Sequence, residues 1–292
     1  MQIFLDDRLV DESEAKVSVY DHGFLYGDGV YETMRAYSTV VFMLDEHLGR
    51  LERSASLIRM QMPDRKFIAG AVQETIRVNR LSNAYVRVTL SRGKGPIGLD
   101  PALCKTPTLV IIAEPFQPYP RKLYQDGVFL VISPVVRNHV RAINPMIKSL
   151  NFLNNILSKA DAKDRGAYEA IMLNAEGYIA EGTVCNIFFV RKNTVCTPSV
   201  DAGILDGITR EIVIRLARES GLSVDEGLYS PRDILSADEV FFTNTTAEIM
   251  PVSRIEDAFY SVGGVAARLR GLYQAEVERY VCLFRDGQEE VD

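Results

Sequence analysis

Lys148 stands in Ile147-Lys148-Ser149-Leu150-Asn151, among apolar neighbours and at a point that reads as a strand-to-helix junction. An amine held against apolar surface loses part of its preference for the charged form, and the neutral amine can form a Schiff base with an aldehyde. Taken alone, the residue reads more readily as a helix-start lysine whose stem lies on apolar surface and whose head stays in water. Glu181 ends an apolar strand and opens Glu181-Gly182-Thr183-Val184-Cys185-Asn186. A buried carboxylate there needs a partner such as a protonated pyridine nitrogen, whereas an exposed one needs only solvent. Gly207-Ile208-Thr209-Arg210 opens a helix, and Thr243-Asn244-Thr245-Thr246-Ala247-Glu248 follows a strand. Free amides at a helix start, with threonine hydroxyls beside them, favour a phosphate dianion; a plain N-cap explains the first segment as well. Arg50 lies off the apolar stripe Leu48, Leu51, Ala55 and Ile58, so it is either solvated or a phosphate clamp.

Other chemistries find less support. Gly93-Lys94-Gly95-Pro96-Ile97-Gly98 spells the dinucleotide fingerprint, but Pro96 and then Leu99-Asp100-Pro101 forbid the helix that must follow it. No Walker A sequence or Gly-x-Ser-x-Gly elbow is present. The four cysteines are far apart and there are only three histidines, so neither a disulfide framework nor a metal site is expected. A net charge of −6 with scattered basic residues disfavours nucleic acid and anionic membranes, which leaves small molecules as the expected ligands. The N-terminus lacks a basic region followed by an apolar stretch, and a cytoplasmic location is expected.

The elements that must position these residues alternate between sheet and helix. Gln2–Leu5 with Arg8–Val10, and Val30–Tyr37 with Val40–Leu44, read as hairpins; the stripe from Asp45 to Pro63 and the stretch Lys66–Arg80 read as helices. Strands are expected at Tyr85–Ser91 and Thr108–Ala113. Three prolines within Glu114–Pro120 then mark a boundary. Beyond it come a strand Val128–Val136, a helix through Leu150, Leu153, Leu157 and Ala160, strands at Glu169–Leu173, Tyr178–Glu181 and Asn186–Val190, a helix Gly207–Ser220, a strand Val240–Thr243 and a closing helix Val265–Val281. This is an α/β (α+β) chain with a domain at 1–116, a linker at 117–127 and a larger domain at 128–292.

Six stretches in order, namely Tyr26–Glu32, His47–Leu51, Ile147–Asn151, Glu181–Thr183, Gly207–Arg210 and Thr245–Ile249, make the chain similar to the class IV (fold type IV) aminotransferases that use pyridoxal 5′-phosphate (PLP). That group includes branched-chain and D-amino-acid aminotransferases and aminodeoxychorismate lyases. The resemblance implies a small N-terminal α/β domain, a larger C-terminal domain with a barrel-like sheet, PLP at the domain interface, and a homodimer or higher homo-oligomer. It implies that Lys148 forms the Schiff base and then moves the substrate proton, and that Glu181 pairs with the pyridine nitrogen. Arg50, Ile208, Thr209 and Thr245 would hold the phosphate, with Phe152, Leu205 and Gly207 also binding the cofactor.

Within the group, Tyr85-Val86-Arg87 resembles the Tyr-x-Arg of branched-chain enzymes. D-amino-acid enzymes grip the substrate carboxylate with an Arg-x-His in the following loop, which here contains no histidine. The resemblance therefore favours ping-pong transfer between an L-amino acid, branched-chain or otherwise hydrophobic, and 2-oxoglutarate; the alternatives are D-amino-acid transamination or aminodeoxychorismate lyase activity on the same scaffold and, more remotely, PLP binding without turnover. Tyr85 and the Thr245 and Thr246 amides would meet the carboxylate. Tyr26, Tyr31, Arg35 and Arg87 would line the side-chain pocket, with Tyr26 serving the partner subunit. Departures from the pattern are Phe152 in place of a tyrosine, Val184-Cys185, Asp206 and Asn244.

Overall fold

The computed structural model describes residues 1–286. The described chain divides into two compact units: Met1–Gln117, Ile147–Asn151 and residues 277–286 belong to the first, Pro118–Met146 and Phe152–Glu276 to the second. Lys148 thus belongs to a five-residue excursion that the chain makes into the first unit.

The first unit begins with β1 (Gln2–Leu5) and β2 (Arg8–Asp11), followed by a short helix α1 (His22–Tyr26), β3 (Gly29–Tyr37) and β4 (Val40–Val41). Two longer helices follow, α2 (Leu44–Leu57) and α3 (Arg65–Val78), and then β5 (Ala84–Ser91) and β6 (Thr108–Pro115). The strands form one antiparallel sheet in the order β2-β1-β6-β5-β3-β4. Strand side chains alternate between faces, and one face carries Val30, Met34, Val86, Val88 and Leu90, all buried against Leu48, Leu51 and Ala55 of α2 and Ile68 and Val72 of α3. Each fully buried aliphatic side chain of this kind contributes about 1.5–3 kcal/mol. The second hairpin is shorter than expected because Met43 takes a left-handed backbone and α2 begins at Leu44. That helix stops at Leu57, ahead of Pro63, where Arg59 turns left-handed. Gly93–Gly98 opens no helix.

The second unit contains α4 (Arg121–Asp126), β7 (Val128–Ile132), α5 (Leu153–Asp164), β8 (Glu169–Leu173), β9 (Ile179–Gly182), β10 (Asn186–Arg191) and β11 (Thr194–Pro198). After these come α6 (Ile208–Glu219), β12 (Ser223–Gly227), α7 (Pro231–Leu235), β13 (Glu239–Asn244), β14 (Glu248–Ile255), β15 (Ala258–Phe259) and α8 (Gly264–Asp286), the last crossing into the first unit's residues at Val277. The mixed sheet runs β12-β11-β10-β13-β14-β7-β8-β9, with β15 beside β14, and curls into a half-barrel. Ile187, Phe189, Val240 and Phe242 point into its apolar core, while Phe188 and Phe241 stack on the other face at 5.0 Å. Expectation and structure differ at β7, which ends at Ile132 before Pro134, and at β11, β12 and β14, which the sequence pattern does not reveal. Strand β14 contains Pro251 and β12 is largely exposed, so neither shows a clean alternation. Helix α5 starts at Leu153 rather than running through Leu150, because the Leu150 amide donates to Gly29 O. No helix among the described residues is long and apolar enough to cross a membrane.

Candidate active site

Period-two alternation in the first unit places Tyr31 and Arg35 of β3 on one face, and the register Thr33↔Arg87 and Arg35↔Tyr85 puts Tyr85 and Arg87 of β5 on the same face, opposite the core. The Arg87 guanidinium lies 3.9 Å from the Tyr31 ring centroid, and the Lys148 Nζ 4.6 Å from it. Burial, opposed by the charge of Arg87, pushes the Tyr31 phenol far above its usual range, so it stays protonated as a hydrogen-bond donor. Arg35 stacks on Tyr37 and Phe116. Tyr26 does not join this group: its hydroxyl accepts from the Gly98 amide at 3.2 Å, tying α1 to the loop after β5.

Lys148 is not at a strand-to-helix junction. Its segment is stitched alongside β3: the Tyr31 amide donates to Lys148 O at 3.0 Å, the Leu150 amide to Gly29 O at 2.9 Å, and Ser149 forms a β-bridge with Val30. The Lys148 amide donates to Ser54 Oγ at 3.2 Å. Gly29 permits this approach, since a Cβ there would stand 2.6 Å from a Leu150 methyl and 2.7 Å from Leu90 O. The backbone of Lys148 is thereby held, and its amine lies over the face of Tyr31.

Arg50 is not solvated. It is 5% exposed, and its Nε and Nη2 donate to the two oxygens of fully buried Glu32 at 2.7 and 2.9 Å. His47 Nδ1 lies 2.8 Å from the same carboxylate. Burial pushes Glu32 up, but the Arg50 charge and the hydrogen bonds from Arg50 and His47 win and hold its carboxyl well below the usual range. Burial also lowers His47, more than Glu32 raises it. Both groups therefore bind fewer protons folded than unfolded, so stability rises with pH. The His47 contribution is complete above its ordinary value of 6.5 and declines as pH falls below it; loss at Glu32 follows below its ordinary 4.5. The thermal midpoint is expected to fall as pH drops through the first window, and His47→Gln to flatten that limb. A wild-type-minus-variant difference that stays constant across it contradicts this assignment.

In the second unit Glu181 is buried at the end of β9. Its Oε1 accepts from Arg137 Nε at 2.8 Å and its Oε2 from the Leu205 amide at 3.0 Å. Sequence reasoning missed Arg137. The available signal was that a buried carboxylate calls for a cation, and Arg137 stands just beyond a strand. Its Nη1 reaches Asn154 Oδ1 and Asn155 Oδ1, while Asn155 Nδ2 donates to Thr183 O at 2.7 Å. Thr183 Oγ1 donates to buried Glu169 at 2.7 Å, so the Glu181-Gly182-Thr183 turn is braced on two sides. Phe152 caps α5 through its backbone alone.

Helix α6 starts at Ile208 after Gly207, and among the described residues no side chain caps its first amides. Asn186 Nδ2 donates to Leu205 O at 2.9 Å, and a Cβ on Gly207 would stand 2.0 Å from Asn186 Oδ1, so only glycine fits. Ile208 and Thr209 are buried beside this turn, whereas Arg210 is committed to Pro198 O and Glu226. In the loop after β13, Thr245 is half-buried. The Thr246 and Ala247 amides donate to Asn244 Oδ1 at 3.1 and 2.7 Å, and the Thr246 hydroxyl lies 3.1 Å from that of Tyr119.

The model of the class IV amino-transferase family matches residues 29–255. The chain therefore belongs to the class IV aminotransferases. It is 44% identical over 274 residues to the putative branched-chain-amino-acid aminotransferase of Methanocaldococcus jannaschii, covering 92% of this chain and 94% of that protein. It is also similar to the D-alanine aminotransferase of Bacillus licheniformis, at 35% identity over 88% of this chain and 89% of that one. Among solved structures, the branched-chain aminotransferase of the thermophilic archaeon Thermoproteus uzoniensis with norvaline superimposes with a TM-score of 0.90 at 37% identity, covering 96% of this chain and 97% of that one. Class IV aminotransferases use PLP. The second unit fits such a group on its own chemistry: an uncapped helix start whose glycine admits no side chain, and a buried Thr243 hydroxyl without a hydrogen-bond partner among the described residues.

Proposed function

We propose that the protein transfers amino groups between an L-amino acid, branched-chain or otherwise hydrophobic, and 2-oxoglutarate. Bound PLP supplies an aldehyde carbon for the lysine amine and a ring that accepts electrons from the substrate Cα. Lys148 is the amine that holds the cofactor and, once freed, carries the proton to and from the reacting carbon. Glu181, whose carboxylate accepts from Arg137 and the Leu205 amide, would hold a proton on the ring nitrogen. The amides of Ile208 and Thr209, the hydroxyls of Thr209 and Thr245, and Arg50 would take the phosphate, and Leu205 and Phe152 would lie against the cofactor. Tyr85 and the Thr245 amide orient the substrate carboxylate; Tyr31, Arg35 and Arg87 receive the side chain.

The observation that carries the L-selective reading is Arg92, the arginine of the loop after β5. It is buried, with Nη2 on Asp28 Oδ1 at 2.9 Å and on Ile58 O at 2.7 Å, and a further donor on Arg59 O. It has no freedom to grip a carboxylate from that loop. The reading includes a homodimer: Phe24, Ile97 and Leu99 are at least 72% exposed on two segments that hydrogen bonds tie together, and a second copy would cover them. The test is the visible band of the purified yellow protein. L-Leucine and L-glutamate are expected to bleach it and D-alanine and D-glutamate to leave it, with the light-scattering mass at twice that of one chain. Bleaching by the D-series alone transfers the activity to D-amino acids, and pyruvate release from aminodeoxychorismate transfers it to the lyase reaction.

A further inference from the structure

We propose that Thr243 is an additional ligand of the cofactor phosphate, an inference that rests on the phosphate lying at the start of α6. Thr243 is 1% exposed, and its Oγ1 finds no hydrogen-bond partner among the described residues. Buried hydroxyls are nearly always paired, because leaving one without a partner forfeits its hydration for nothing in return.

The direction of this side chain follows from the sheet. In the antiparallel pair β10–β13, Thr243 is the partner of Asn186, and directly opposite residues share a face. Val240 and Phe242 point to the other face, into the apolar core, so Thr243 is not aimed there. The face it shares with Asn186 carries the Leu205–Gly207 turn, since Asn186 binds Leu205 O and its carboxamide oxygen fills the space a Gly207 side chain would take. That turn delivers the first amides of α6, which no side chain among the described residues caps. An orphaned hydroxyl and an uncapped helix start therefore belong to one neighbourhood. A phosphate dianion satisfies both: it has acceptor oxygens to spare, the helix dipole favours its charge, and a hydroxyl donating to it makes a charge-assisted bond.

The experiment uses the full chain, stripped of cofactor, and titrates PLP and phosphate-free pyridoxal by absorbance against wild type, Thr243→Val, Thr243→Ser and Thr209→Ala. Valine keeps the branched shape and removes the hydroxyl. It is expected to weaken PLP binding about tenfold or more, the scale of one hydrogen bond to a charged group, while pyridoxal affinity stays level. Serine should restore most of the PLP affinity. The apo form of Thr243→Val is expected to melt no lower than apo wild type, since it loses an unpaired hydroxyl rather than a bond. PLP affinity unchanged in Thr243→Val but weakened in Thr209→Ala overturns the inference and leaves the phosphate placement standing. Unchanged affinity in both removes the placement itself. Equal weakening of PLP and pyridoxal assigns the hydroxyl to something other than phosphate and also overturns the inference. Should the valine variant not fold, full PLP affinity in Thr243→Ala has the same meaning.

Discussion

Lys148→Ala is expected to abolish amino-group transfer, lowering the rate by at least about 10⁴-fold, the upper range for loss of a single general acid–base group. The same residue is assigned the covalent attachment of the cofactor, so borohydride treatment followed by mass spectrometry should find modified lysine in wild type and none in the variant. The fold should survive. The Lys148 segment is held through its own backbone: the Tyr31 amide donates to Lys148 O and the Leu150 amide to Gly29 O along β3, and the Lys148 amide donates to Ser54 Oγ on α2. The thermal midpoint is thus expected to move by no more than about 2–4 °C, the equivalent of roughly 1 kcal/mol. Lys148→Arg separates the charge from the amine. A guanidinium keeps a cation near the Tyr31 ring but forms no Schiff base, so that variant should be as inactive as the alanine. Activity retained in either one ends the assignment of Lys148.

Glu181→Gln is expected to lower kcat by about 10²–10³-fold, the cost of removing one preorganised electrostatic partner from an active site, with PLP still bound. It should also lower stability, and the structure says why. Both carboxylate oxygens face donors, Arg137 Nε and the Leu205 amide. A carboxamide supplies only one acceptor atom, so one donor meets an NH₂ group and Arg137 loses its counter-charge while remaining buried. Breaking a buried ion pair from one side costs about 3–5 kcal/mol. The double variant Glu181→Gln/Arg137→Gln removes the stranded charge and should recover much of that stability without recovering the rate. Recovery of the rate along with stability would mean that Glu181 serves only to hold the fold. An unchanged kcat in the single variant would mean that it holds no proton on the cofactor ring.

What the sequence by itself determined is local and periodic. Alternation along Val30–Tyr37 and Tyr85–Ser91 places Tyr31 and Arg35 on one face and Tyr85 and Arg87 on one face, because successive strand residues must point opposite ways. The stripe Leu48, Leu51, Ala55 makes α2 amphipathic, and Gly207-Ile208-Thr209 marks a helix start open to an anion. What only the tertiary structure decided joins residues with no periodic relation. Arg137 meets Glu181 across 44 positions, Glu32 takes Arg50 and His47 from a separate helix, and Lys148 is held against a strand formed more than a hundred residues earlier. Leu150 and Met43 show the same limit on a small scale: one amide claimed by Gly29, and one left-handed residue, moved two element boundaries that hydrophobic spacing alone had set elsewhere. Apolar periodicity registers which side of an element faces its core. The identity of the partner that satisfies a buried charge, as Arg137 does at Glu181, is settled by which segments come to lie side by side, and that pairing exists only once the chain has folded.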